Sequence, residues 1–296
     1  MRATRTPVAF AASVGGLLLL CGCDAAQAAL HQAHEAAASA ASTAASAAVE
    51  AATAATSSSG PEKTATFDWK GRIEAGKTLE IRGINGGVTA RLAGGPDATV
   101  HATLTGRDDD PSEVHIQVVP NDGGVTLCAV YPGRHNECEP GGGHESIHRN
   151  DVRVEFEVAV PAGVVFTPST VNGGIRAEGL EGPVRARTVN GTVRVETTGW
   201  ADAHTVNGSV EVRMGKADAP DGLSFRTVNG SISVVIPAGA AFDVDASTVS
   251  GSISTDFPLT ISGRFVNHHA SGTIGGGGPE LKLSTVNGSI GLNKGS

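Results

Sequence analysis

Apolar and polar residues alternate with period two through most of the chain beyond residue 63. "KTLEIRGINGGVTARL" (Lys77–Leu92) alternates on both sides of an Asn-Gly-Gly turn. "VHATL", "VHIQVV", "GVTLCAV" and "VRVEFEVAVP" follow with the same period. Such alternation sends successive side chains to opposite faces, so each segment predicts a β-strand with one buried face. Tyr131–Asn150, "YPGRHNECEPGGGHESIHRN", breaks the pattern. Its Gly, Pro and charges predict an exposed insertion loop.

From Thr170 a phrase recurs. TVNGGI (Thr170–Ile175), TVNGTV (Thr188–Val193), TVNGSV (Thr205–Val210), TVNGSI (Thr227–Ile232), TVSGSI (Thr248–Ile253) and TVNGSI (Thr285–Ile290) share one frame. Counting Ser271, the turn residues fall at 172, 190, 207, 229, 250, 271 and 287. A period near twenty predicts a solenoid in which each unit stacks on a neighbour. Strand parity says what the phrase does. Leu223, Phe225 and Thr227 share one face, and Ile232, Val234 and Ile236 form the apolar set after the turn. Asn229 and Ile232 are three apart, so alternation fails across Asn-Gly, and the extra residue predicts a corner at which Gly supplies a positive φ. The predicted corners are Asn172-Gly173, Asn190-Gly191, Asn207-Gly208, Asn229-Gly230, Ser250-Gly251, Ser271-Gly272 and Asn287-Gly288. Stacked corners would let the Asn side chains form an amide ladder at one strand spacing, about 4.8 Å. The expected fold is all-β, a parallel β-helix over about Thr64–Leu292. A sandwich of antiparallel hairpins is the alternative, since a single Asn-Gly also serves a hairpin turn.

Composition agrees with many short strands and tight turns: 40 Gly among 296 residues and only 4% aromatics. The formal charge of −8 gives no electrostatic reason to bind nucleic acid, which needs clustered Lys and Arg. Arg2 and Arg5 precede an apolar run, Val8–Leu20, that is short for a bilayer span and suits an export signal. The run ends in "LLCGC" (Leu19–Cys23), which resembles the bacterial lipobox and implies lipid on Cys23. Ordinary cleavage near Ala25–Ala29 is the rival. Residues 1–22 are thus read as a signal peptide, 23–60 as an Ala/Ser-rich tether and 61–296 as the folded domain. No later stretch is long and apolar enough to cross a membrane. Asp24, next to the lipid site, resembles the inner-membrane retention signal of enteric-type bacteria.

The repeated TVNGSI/V units, the early "GING" (Gly83–Gly86) and "VPAG" (Val160–Gly163) resemble the bacterial putative-adhesin families of β-strand-repeat domains of unknown function, related to those with a Gly-Ile-Asn head motif. The resemblance implies a parallel β-helix in an envelope or surface protein. It carries over no catalytic residue.

Chemistry-bearing residues are few. Cys128 and Cys138 are an even pair in an exported chain and predict a disulfide. A metal site with His135, His144 and His148 is the rival, but the Cys spacing is not that of a zinc site. The Asn-Gly-Ser/Thr triplets match glycosylation acceptors only because the corner recurs. Outward positions after Thr170 are Arg185, Arg187, Arg194, Glu196, Asp202, His204, Glu211, Arg213, Arg226, Asp243 and Asp245. They include no Ser-His-Asp order, and no phosphate loop occurs; Asp243 and Asp245 are the nearest approach to a carboxylate pair. No cofactor or metal is expected. The reading is a non-enzymatic, membrane-anchored lipoprotein presenting a structural or binding surface. A stress-sensing lipoprotein acting through a protein partner and a polysaccharide-active β-helix enzyme are the alternatives.

Overall fold

The period-two segments form strands throughout the computed structural model, which describes residues 62–134, 136–142, 149–264 and 266–295. In chain order they are β1 (Lys63–Arg72), β2 (Thr78–Arg82), β3 (Val88–Leu92), β4 (Asp97–Gly106), β5 (His115–Asn121), β6 (Gly124–Val130), β7 (Arg153–Val160), β8 (Val165–Ser169), β9 (Ile175–Leu180), β10 (Val184–Arg187) and β11 (Val193–Thr197). The series continues with β12 (Ala201–His204), β13 (Val210–Met214), β14 (Leu223–Arg226), β15 (Ile232–Ile236), β16 (Phe242–Ser250), β17 (Ile253–Thr255), β18 (Thr260–Arg264), β19 (Val266–Ile274), β20 (Glu280–Asn287) and β21 (Ile290–Lys294).

Among the described residues these strands make two sheets. Sheet A runs β1-β4-β7-β3-β9-β11-β13-β15-β21-β17, and sheet B runs β18-β19-β16-β20-β14-β12-β10-β8-β2-β6-β5. Each TVNG phrase carries the chain from a sheet B strand round a corner into a sheet A strand, so one repeat is one rung. The inward faces share one apolar core, with Phe166, Phe225, Leu281 and Leu283 from sheet B and Phe156, Ile175, Ile232 and Ile290 from sheet A. Burying such side chains stabilises by about 1.5–3 kcal/mol each. The solenoid is therefore parallel in its body, as the repeat predicts.

Both ends depart from simple stacking. β1 with β4 and β4 with β7 pair antiparallel, as do β5 with β6, β16 with β19 and β19 with β18. Rung order also differs from chain order. The first TVNG rung, β8/β9, stacks on β2/β3, and β6/β7 lies beyond that pair. At the other end β20/β21 lies between β14/β15 and β16/β17, so the last rung in sequence is the second last in the stack.

Six of the seven Asn-Gly and Ser-Gly pairs turn the chain from a sheet B strand into a sheet A strand, but Ser271-Gly272 does not. Those residues sit inside β19, where Ser271 pairs with Asp245 in the antiparallel ladder. The reason lies in parity. Ala270 and Ile274, both buried, are four apart, so alternation runs unbroken through Ser-Gly. "HHASG" also lacks the Thr-Val that precedes the other six predicted corners.

Candidate functional site

The site is built on the corners, where three letters of TVNGS, Thr, Asn and Ser, each make their own interstrand ladder. Thr is buried and donates to the Gly carbonyl of the adjoining rung: Thr188 Oγ1 to Gly173 O, Thr205 to Gly191 O, Thr227 to Gly208 O and Thr285 to Gly230 O, all at 2.8–2.9 Å. Asn forms the amide ladder. Asn172 Nδ2 donates to Asn85 Oδ1, Asn190 to Asn172, Asn207 to Asn190, Asn229 to Asn207 and Asn287 to Asn229, at 2.8–2.9 Å. Ser adds a third, exposed ladder: Ser231 N donates to Ser209 Oγ, Ser289 N to Ser231 Oγ and Ser252 N to Ser289 Oγ at 3.2–3.3 Å. Ser250 stacks in register on Asn287 and ends the amide ladder.

Gly is required by close approach. A Cβ on Gly191 would sit 2.1 Å from Gly173 O, and one on Gly208 would sit 2.1 Å from Gly191 O. Gly208 has φ +153°, yet Gly191, equally crowded, lies outside the left-handed range. Stacking, more than the sign of φ, therefore forbids a side chain at the corner, which corrects the reason expected from sequence.

These ladders fix the register of sheet B, and register arranges its outward residues in rows. One row reads Thr126, Glu80, Thr167, Arg185, Asp202, Ser224, Lys282 and Asp245 across β6, β2, β8, β10, β12, β14, β20 and β16. The next, nearer the corners, reads Arg82, Ser169, Arg187, His204, Arg226 and Ser284. The outward positions expected from sequence are thereby sorted. Arg185, Arg187, Asp202, His204 and Arg226 come together on sheet B, Asp243 and Asp245 lie further along it on β16, and Arg194, Glu196, Glu211 and Arg213 occupy the opposite face on sheet A.

Sheet B's outer face is a groove of about 820 Å³. One wall is the insertion, which takes the place of a corner between β6 and β7. The Cys128–Cys138 disulfide holds it, with the Cα atoms 5.6 Å apart. Gly141 N donates to Glu80 Oε2 at 3.0 Å, and Arg82 Nη1 donates to the carbonyls of Glu139 and Gly142. Asp221 and Glu280 line the groove on another side. His135, His144 and His148, the rival metal set, lie outside the described residues. Among the described residues no group of three or more His, Cys, Asp or Glu is placed to hold a metal ion.

On sheet A, Arg176 pairs with Glu178 at 2.8 Å and Arg194 with Glu211 Oε2 through Nε at 2.8 Å. In the groove, Arg185, Arg187 and Arg226 have no described carboxylate within 4 Å. Arg185 instead lies 4.8 Å over the Trp200 ring, a cation–π contact that fixes its head. Arg187 and Arg226 are exposed and flank His204. Burial pushes the His204 imidazole below its ordinary range, and the two guanidinium charges push it further; Asp202 opposes them. His204 Nε2 and Ser224 Oγ are buried with no hydrogen-bond partner among the described residues, and Asp202 Oδ1 is 3.6 Å from His204 Nε2.

Three features escaped sequence reading. Asn85 is the first member of the amide ladder, and its signal was the Asn-Gly of "GING", where Gly83 and Ile84 replace Thr and Val. The Arg185–Trp200 contact and the insertion wall depend on register, which no local pattern reveals.

Residues 170–293 match the family described as Toastrack DUF4097. No curated protein matches the sequence. Among solved structures, a "putative cell adhesion protein" from Clostridium sporogenes ATCC 15579 is similar at 13% identity, over 78% of this chain and 100% of that one, with a TM-score of 0.40. A "putative adhesin" from Bacteroides fragilis NCTC 9343 is 14% identical over 78% and 97%, with a TM-score of 0.30. A "putative lipid binding protein" from Parabacteroides distasonis ATCC 8503 is 13% identical over 80% and 98%, with a TM-score of 0.31.

Proposed function

We propose that this chain is a non-enzymatic envelope lipoprotein whose Toastrack-type solenoid presents the sheet B groove as a binding surface. The observation that carries the reading is the walled groove on sheet B, in which Arg185, Arg187 and Arg226 have no described carboxylate within 4 Å. A rigid scaffold with pre-set rows suits recognition, because little ordering remains to be done on binding. Among the described residues no helix is long and apolar enough to cross a membrane. Lipid on Cys23 and the Ala/Ser-rich 23–60 tether would hold the domain at the bilayer, since acyl chains gain about 0.8 kcal/mol per buried CH₂.

Asp202, His204 and Ser224 are neighbours on β12 and β14 of sheet B and invite comparison with a nucleophile site. Such a site needs the hydroxyl within hydrogen-bond reach of the imidazole. Ser224 Oγ and His204 Nε2 each lack a hydrogen-bond partner. The arrangement supports binding over catalysis.

The test uses full-length protein in the native host. Radiolabelled fatty acid should mark the wild type and leave Cys23→Ser unlabelled. The unlipidated Cys23→Ser protein should still sediment with isolated envelopes, through the groove. Adding Arg187→Glu and Arg226→Glu should leave it in the supernatant. Absence of label from the wild type would remove the anchor, and equal sedimentation with and without the groove changes would remove the binding surface.

A further inference from the structure

The ligand class follows from how charge is laid across the groove. Arg187 and Arg226 stand in one row with His204 between them. They are two strands apart, roughly 10 Å at the backbone. Both are exposed, and neither has a described carboxylate within 4 Å. A guanidinium fork matches carboxylate or phosphate oxygens in two-point geometry. This strip is therefore a seat for anionic oxygen groups.

The neighbouring row is different in kind. It offers Thr167, Asp202 and Ser224, and the groove edge adds Asp221 and Glu280. These are acceptors and hydroxyls, suited to a ligand that itself carries hydroxyl groups. Ser224 Oγ is buried there without a partner. Val125, Pro140 and Leu223 are the apolar side chains of a lining that is otherwise polar and charged in residue type. A simple anion would use the strip and leave the acceptor row idle. At about 820 Å³ the open groove has room for a ligand of several rings.

We propose that the groove binds an acidic saccharide, with its carboxylate or phosphate on the Arg187–Arg226 strip and its hydroxyls on the Thr167–Asp202–Ser224 row. The proposal rests on the reading of the groove as the binding surface and names what that surface takes. Arg185, held over Trp200, and Lys282 give further positive charge on the hydroxyl-facing row, so an oligomer with more than one acidic unit has a second contact. Lys282 reaches the groove only because β20 inserts beside β14.

The experiment is calorimetric titration of the full-length Cys23→Ser protein with four probes: trigalacturonate, glucose 6-phosphate, maltotriose and inorganic phosphate. At least one acidic saccharide should bind tenfold or more tightly than both maltotriose and inorganic phosphate, and the two acidic probes decide between carboxylate and phosphate. Arg187→Gln with Arg226→Gln should weaken that binding tenfold or more, while Arg176→Gln on sheet A leaves it unchanged. Thermal melts check that each variant is folded. Failure of both acidic saccharides, equal binding of maltotriose, equal binding of inorganic phosphate, or indifference to the double change would each overturn the proposal. If envelope sedimentation still depends on Arg187 and Arg226 while these probes fail, the ligand class is wrong and the binding surface stands.

Discussion

Asn287 donates its side-chain amide to Asn229 Oδ1 at 2.9 Å, across 58 residues of sequence. The intervening corner, Ser250-Gly251, lies on the far side of Asn287, where Gly288 N donates to Ser250 O at 2.8 Å. The C-terminal rung has entered between two rungs that precede it in the chain. This placement puts Lys282 and Glu280 beside β14 and completes the groove.

The amide ladder should be measurable one rung at a time. Asn207 both donates to Asn190 and accepts from Asn229. Asn207→Ala should cost about 1–2 kcal/mol by chemical denaturation, since two partners lose a bond. Asn85→Ala, at the ladder's end, loses one bond and should cost about half as much. The converse is a gain. Ser250→Asn places an amide in register with Asn287 and should stabilise by about 0.5–1 kcal/mol. No change in either direction would mean that the ladder contributes nothing net.

Corner glycines should tolerate nothing larger. Gly208→Ala puts a methyl 2.1 Å from Gly191 O and should destabilise by about 1–3 kcal/mol. Gly239→Ala is the control, because no atom lies within 4 Å of its added Cβ. Equal melting temperatures for the two variants would contradict the close stacking.

Acid should weaken the domain through His204. Its folded imidazole titrates below the ordinary value of about 6.5, because of burial and the charges of Arg187 and Arg226, with Asp202 opposing. The unfolded chain therefore binds the proton first as pH falls, and stability is lost from about pH 6.5 downward. His204→Asn should flatten that part of the stability curve in denaturant titrations between pH 7 and pH 5. An unaltered slope would place the acid sensitivity elsewhere.

Reduction should loosen the groove wall. The Cys128–Cys138 bond closes a ten-residue separation. Its loss should lower stability by about 2–3 kcal/mol. Non-reducing peptide mapping should show the two cysteines linked. Free thiols in exported protein would contradict the pairing.

Much of this was legible in the residues, and the gaps have physical causes. Parity across Thr227–Ile232 located a corner, because an odd step between buried residues cannot occur along a straight strand. The same test applied to Ala270–Ile274 gives an even step, which is why Ser271-Gly272 is strand. The buried Thr ladder was hidden, since its acceptors belong to another rung. Stack order was hidden too: the corners at 229, 250 and 287 carry nearly the same phrase, and nothing local says which pairs with which. Outward parity identified Arg187, His204 and Arg226 one by one. Only register made them a row.

The most direct measurement tests the stack order that builds the groove. Ser231, Ser289 and Ser252 lie at equivalent corner positions, and their ladder runs in that order. Three paired-cysteine variants of the full-length protein are made: Ser231→Cys with Ser289→Cys, Ser289→Cys with Ser252→Cys, and Ser231→Cys with Ser252→Cys. Mild oxidation and peptide mapping then read the crosslinks. The order described here predicts disulfides in the first two and none in the third. A crosslink between 231 and 252, with 231 and 289 left as free thiols, would mean that the rungs stack in chain order, and Lys282 and Glu280 would leave the groove.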